Sequence, residues 1–316
     1  MTRIPPFDPE VAEVLHARSD VVTSLLPDAI PALRERVTRP SAQAMTRDGA
    51  FDFQAHQLPA ADGSLLELVL LRPRDAASAV PVLYHVHGGG LVVGTPYEDL
   101  PDLTEIAHET GCAIASIDYR LAPEHPYPTP LDDVYAGLEW LVREASSLGL
   151  DPARIIIGGP SAGGGLAAAA ALLARDRGGP SLLGQLLIYP MLDDRNDSFS
   201  ARQMAGRGAW DRTANETGWS AYLGTDREDV PIYASPARAT DLSGLPPIFL
   251  DVGSAETFRD EIVGYADLAW QCGVEAELHV WPGGVHGFDA LAPGAAVSQD
   301  ARKARVQWLR RLLTSR

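Results

Sequence analysis

Lysine is almost absent from this chain: a single one, Lys303, stands against 25 arginines in 316 residues. Enzymes that work through a Schiff base, a pyridoxal cofactor or a Walker-type phosphate loop need a placed lysine. Lys303 lies in the charged, helix-like run AVSQDARKARVQWLRRLL, which suits none of them, so those classes drop out. Cysteine is also scarce. Cys112 and Cys272 make no disulfide framework and lack zinc-site spacing; both are expected to be small buried hydrophobes. Basic charge is short as well. With 26 basic against 42 acidic side chains the formal charge is −16, which argues against nucleic acid or an anionic membrane face as a partner. The N-terminal MTRIPPFDPEVAEV lacks the apolar segment of a secretory signal. The greasiest stretch, LAAAAALLA at 166–174, falls far short of the roughly 20 residues of a membrane span. A soluble, cytoplasmic protein is expected.

What is present is a rhythm. Residues 1–48 carry helix-like patterning broken by Pro27, Pro31 and Pro40, and beyond about residue 50 strand and helix patterns alternate. Strands are predicted at 65–73, 80–87, 112–119, 154–159, 182–190, 246–253 and 276–283. Several are nearly continuous apolar runs, as in strands buried on both faces of a parallel sheet. Between them, 131–148 places Leu131, Val134, Tyr135, Leu138, Leu141, Val142 and Ala145 on one helical face, after Pro130. The stretch 193–235 breaks the rhythm and reads as an insertion. The alternation predicts a doubly wound α/β fold with its site at the carboxyl ends of the strands.

One such strand end reads RIIIGGPSAGGGLAAAAALLA. Gly159-Pro160-Ser161-Ala162-Gly163 is G-x-S-x-G between a strand and a helix, the context of a nucleophile elbow. A turn that strains Ser161 crowds its neighbours, so Gly159 and Gly163 must lack side chains. Ser161 would project at a helix N-terminus, where free N–H groups favour developing negative charge. A phosphate loop would need a lysine just past the glycines, and none is there. Upstream, VLYHVHGGGLVVGT puts His87-Gly88-Gly89-Gly90 after a buried strand, supplying backbone N–H groups for an oxyanion, with that of Ala162. His85 and His87 share a face at period two, but no further ligand follows, so no metal is expected and His87 reads as an anchor for the glycines.

A serine needs a base. Of eight histidines, His16 and His56 precede the core, His108 belongs to a helix and His125 to a proline-rich loop, while His279 sits in a strand pattern where a satisfied core histidine is usual. His286 follows the last strand and the turn Pro282-Gly283-Gly284, where an imidazole can reach Ser161. The acid should follow the preceding strand, where SAETFRDE offers Glu256, Asp260 and Glu261. Glu256 is nearest the strand end and is chosen, with Asp260 as the alternative. The order Ser161, Glu256, His286 is that of α/β-hydrolases.

With these segments the chain resembles the hormone-sensitive-lipase family of α/β-hydrolases, the bacterial family IV esterases. The likeness rests on His87–Gly90, Asp118–Pro128 (DYRLAPEHPYP), Gly159–Gly164 and Pro282–Phe288 (PGGVHGF), and covers about residues 50–316. It implies a mostly parallel sheet flanked by helices and a serine carboxylesterase for short- to medium-chain acyl esters, working through an acyl-enzyme without a cofactor. It also implies a helical cap built from residues 1–48 and 193–235, over a catalytic core of 49–192 and 236–316. Ser161 becomes nucleophile and His286 base, with Gly88, Gly89 and Ala162 as oxyanion donors. Small ester substrates are the expected partners; family members often pair, which leaves a homodimer open. Two positions depart from the family pattern. Pro160 stands where Asp usually precedes the nucleophile, and Glu256 takes the place of an Asp. Leu91, where an aromatic often follows the glycines, is expected to widen the pocket near the acyl group. A non-catalytic receptor on the same fold would keep the pocket and lose the base, whereas Ser161, Glu256 and His286 are all present. Acyl transfer and amide or lactone hydrolysis share every one of these residues.

Overall fold

The computed structural model describes residues 3–314, so the outermost two residues of the expected segments 1–48 and 236–316 lie outside the described residues. Among the described residues eight strands form one sheet: β1 (Phe51–Pro59), β2 (Leu65–Pro73), β3 (Val80–Val86), β4 (Ala113–Ile117), β5 (Leu150–Pro160), β6 (Gly184–Ile188), β7 (Ile248–Gly253) and β8 (Ala276–Trp281). Their spatial order is β1-β2-β4-β3-β5-β6-β7-β8. β2 runs antiparallel to β1 and β4, and every other pairing is parallel. The sheet is the mostly parallel α/β arrangement expected. The order reverses around β3 and β5, and β5 ends on the elbow.

Burial explains which strands were legible. β3 and β7 are buried at every position and read as unbroken apolar runs. β1 was not anticipated. Its sequence FDFQAHQLP is largely exposed because the strand closes an outer edge of the sheet, so only Phe51 and Leu58 are buried. β8 forms the other edge, and its residues are only partly buried. His279 there is a half-buried edge residue and not a core histidine, although its Nε2 lies 2.9 Å from Glu277 Oε1.

Among the described residues eleven α-helices surround the sheet. Three precede it: α1 (Pro9–Ala17), α2 (Ile30–Arg34) and α3 (Ala42–Met45). The others are α4 (Leu100–Thr110), α5 (Thr129–Glu144), α6 (Ala162–Arg177), α7 (Phe199–Gln203), α8 (Arg212–Leu223), α9 (Arg259–Gln271), α10 (Phe288–Leu291) and α11 (Ala296–Thr314). Successive residues of a strand face opposite ways. Tyr84 of β3 donates its hydroxyl to Val134 O of α5 at 2.7 Å, while its neighbours Leu83 and His85 line a cavity together with residues of α4 and α11. α5 therefore covers one face of the sheet, and α4 and α11 the other. Buried Cys112 immediately precedes β4, as expected; Cys272 is only half-buried and accepts a hydrogen bond from Leu242 N at 3.3 Å.

The segments before residue 49 and between 193 and 235 meet each other. Trp210 N and Asp211 N donate to Val22 O and Thr23 O at 3.0 and 2.8 Å, and Thr217 Oγ1 donates to Leu25 O at 2.6 Å. Among the described residues neither segment contributes a strand.

Candidate active site

β5 delivers Ser161 through a turn that only close packing can sustain. Ser161 sits at φ 55°, ψ −122°, a conformation that costs an L-residue about 1–3 kcal/mol. The surroundings hold it there: Ser161 N donates to Ile188 O at 2.9 Å, and Ser161 O accepts from Gly165 N at 3.0 Å and Met191 N at 2.9 Å. Gly163 is tight for the same reason, since a Cβ there would run into the carbonyl oxygens of Val86 and His87. Behind the turn, α6 is buried along nearly its whole length because alanine and glycine let it lie close to the sheet.

The other two side chains arrive from the loops after β7 and β8. His286 Nε2 lies 2.9 Å from Ser161 Oγ, and His286 Nδ1 lies 3.0 Å from Glu256 Oε1. The second carboxylate oxygen of Glu256 accepts from Gly253 N at 3.0 Å, which fixes its rotamer. Glu256 is fully buried, and the imidazole is 10% exposed. Asp260, the alternative acid, is engaged elsewhere: its Oδ2 accepts from Ser200 N at 2.7 Å and its Oδ1 from Arg259 Nε at 2.9 Å. An imidazole bonded on one side to a buried carboxylate and on the other to a serine can take the serine proton and be stabilised once charged.

The glycine run reaches the same spot. A Cβ built on Gly88 would stand 3.7 Å from Ser161 Cβ, and Gly89 O is turned away to accept from Val92 N and Val93 N at 3.1 and 3.0 Å. Ala162 is the first residue of α6, so its N–H has no partner within the helix. His87 anchors the run. Its Nδ1 lies 2.8 Å from Gly88 O, its ring stacks on Tyr119 at 4.1 Å, and Tyr119 Oη donates to His87 O at 3.0 Å. Burial holds the His87 imidazole down to about 4, so it stays neutral at ordinary pH. His85 is separately engaged, with Nδ1 2.9 Å from Ser116 Oγ and Nε2 3.2 Å from Asp99 Oδ2. Among the described residues no three His, Cys, Asp or Glu side chains are grouped to hold a metal ion.

A cavity of about 310 Å³ opens beside the glycines, walled by His87, Gly88, Gly89 and Pro160 of the core and by Leu33, Arg36 and Val37 of the N-terminal segment. Leu91 is not on its wall. It is buried in the hydrophobic core at φ 69°. A second cavity of about 250 Å³ lies behind the elbow, between α4, α11 and the sheet, away from the Ser161 hydroxyl.

Two residues at the site were not anticipated. Tyr189 and Phe258 clamp the imidazole edge-on, with ring centroids 5.0 and 4.9 Å from His286. Tyr189 directly follows the apolar strand β6, and Phe258 is the residue that precedes α9 in the loop after β7; an aromatic in the loop after an apolar strand was the available signal.

A family model for the alpha/beta hydrolase fold matches residues 83–290. Carboxylesterase NlhH of Mycobacterium tuberculosis is 41% identical over 228 residues, covering 69% of this chain and 70% of its own. Esterase LipI of the same organism is 35% identical over 242 residues, covering 76% and 75%. Among solved structures, a bacterial heroin esterase superposes with a TM-score of 0.89 at 36% identity over 98% of both chains. Esterase LipW from Mycobacterium marinum gives 0.86 at 31%, over 98% of this chain and 99% of its own. No helix among the described residues is long and apolar enough to cross a membrane.

Proposed function

This chain belongs to the hormone-sensitive-lipase branch of the α/β-hydrolase family, and from that premise we propose that it is a serine carboxylesterase for short- to medium-chain acyl esters. The observation that carries the reading is the hydrogen-bonded line from Ser161 Oγ through His286 to Glu256. The relatives named carboxylesterase and esterase support it. His286 Nε2 takes the hydroxyl proton as Ser161 Oγ attacks the ester carbonyl, and Glu256 stabilises the imidazolium. The N–H groups of Gly88, Gly89 and Ala162 hold the oxyanion. The tetrahedral intermediate collapses, the alcohol leaves with the proton from His286, and an acyl group remains on Ser161. Water then attacks with His286 again as base, releasing the acid and the free serine.

Residues 1–48 and 193–235 are proposed as a cap. Their mutual hydrogen bonds and the presence of Leu33 and Val37 on the wall of the cavity beside Gly88 support that role. A p-nitrophenyl ester series from acetate to palmitate tests the proposal, with the highest kcat/KM expected at or below octanoate. Ser161→Ala should remove nearly all turnover, and substantial hydrolysis by that variant would refute the assignment.

A further inference from the structure

The loop that carries His286 is tied down from behind. Asp289 stands three residues past His286 on α10, and Asp251 stands on β7, five residues before Glu256. Both carboxylates are buried, and both close on one guanidinium from α11. Arg305 Nε donates to Asp251 Oδ2 at 2.8 Å, and Arg305 Nη1 donates to Asp289 Oδ2. Arg305 itself is 3% exposed. Trp281 Nε1 adds a hydrogen bond to Asp251 Oδ2 at 3.3 Å. Tyr189 fills the gap between this cluster and the imidazole. Its ring centroid lies 5.7 Å from the guanidinium carbon and 5.0 Å from that of His286, and its N–H donates to Asp251 O at 2.9 Å.

We propose that Arg305 is a positioning residue: by bridging Asp289 and Asp251 it sets the loop bearing His286 against the strand that leads to Glu256. The inference rests on the reading of Ser161, His286 and Glu256 as the reacting set.

The energetics favour this role over simple stabilisation. Burying three charged groups is expensive, and well-packed apolar residues of similar volume are often as stable or more so. What a guanidinium adds is geometry. Its planar fork holds two carboxylates at a set distance and angle, which a lysine ammonium on a flexible stem does not reproduce. The two acids also respond differently. Burial pushes Asp251 above the usual carboxylate range despite Arg305, whereas at Asp289 the charges of Arg305 and Arg302 and the hydrogen bonds from Arg305 and Tyr189 together overcome burial and leave it below. A shift of about 1 Å in a reacting group costs on the order of 10²-fold in rate.

The test uses Arg305→Met, Arg305→Lys and Asp289→Asn in the full-length protein. With p-nitrophenyl butyrate, Arg305→Met should lower kcat about 10²-fold with KM changed less than about twofold, the mark of an interaction that matters only in the transition state. Arg305→Lys should not restore the rate, and Asp289→Asn should cost about tenfold. The low-field imidazole N–H resonance of His286, assigned by its loss in His286→Ala, should broaden or shift in Arg305→Met. A folded Arg305→Met with wild-type kcat and an unchanged resonance, even at a lower melting temperature, overturns the proposal. If Arg305→Met does not fold, Asp289→Asn decides on the same two readouts. If the wild-type protein turns over no ester, the proposed function fails, and the resonance alone then supports or overturns the role of Arg305.

Discussion

Trp210 occupies the space that a side chain at position 90 would need: a Cβ on Gly90 would fall on the indole carbons Cζ2 and Cη2. Gly90 also sits at φ 59°, where an L side chain is strained. Gly90→Ala is therefore expected to destabilise the fold by about 1–3 kcal/mol and to lower kcat at least about tenfold by displacing the neighbouring glycines. Gly90→Ala combined with Trp210→Ala should recover part of the rate, since it removes the collision and leaves the strain. Melting curves and initial rates on the three variants check this; full activity in Gly90→Ala alone would show that Trp210 moves freely.

Arg34 ties the N-terminal segment to the same loop. Its Nε donates to Val92 O at 2.7 Å, its Nη2 to Ala122 O at 2.8 Å, and it pairs with Glu124 through both Nη atoms at 2.8 and 2.9 Å. Glu124 is more than half exposed, so the ion pair contributes little; the two carbonyl bonds matter more. Arg34→Ala should cost about 1–3 kcal/mol in urea unfolding and reduce kcat, while Glu124→Gln stays within about 0.5 kcal/mol. Equal effects from the two substitutions would assign the clamp to the ion pair instead.

The two candidate acids separate by substitution. Glu256→Ala removes the acceptor facing His286 Nδ1 and is expected to lower kcat by about 10³–10⁴-fold. Asp260→Ala removes acceptors for Ser200 N and Arg259 Nε, so its effect should fall on stability, with kcat within about threefold. Steady-state kinetics beside thermal melts distinguish them. The reverse pattern would return the acid to Asp260.

His87 makes the protein sensitive to mild acid. Its ordinary value of 6.5 is lowered to about 4 by burial, so the unfolded chain binds a proton that the folded chain refuses. The resulting stability, on the order of 2–3 kcal/mol, is present above pH 6.5 and is lost as pH falls toward 4. Wild-type protein should lose melting temperature between pH 7 and pH 5, and His87→Gln should lose less over that interval. Parallel curves for the two would place the acid sensitivity elsewhere.

Local chemistry made the candidate reacting groups readable. G-x-S-x-G, the glycine run and PGGVHGF each need particular residues at particular offsets, so Ser161, His286 and Gly88 stood out before any contact was known. Glu256 was favoured over Asp260 because it comes earlier after β7, and the hydrogen-bond partners of the two acids differ in the way that placement suggests. Edge elements were harder to read. β1 was missed and His279 misjudged because a strand at the rim buries too little for its pattern to stand out from a loop or to mark a core position.

The scarcity of lysine, the acidic balance and the strand–helix rhythm were decided residue by residue. They were enough to exclude lysine chemistry and to predict an α/β sheet with a serine at a strand end. What depended on tertiary structure is every relation between residues far apart in the chain. Arg305 meets Asp251 and Asp289, Tyr189 and Phe258 enclose His286, and Trp210 fills the space over Gly90. No spacing rule encodes such contacts. They arise where sheet order brings separate loops to one place, and burial there makes each misplaced atom or unpaired charge costly.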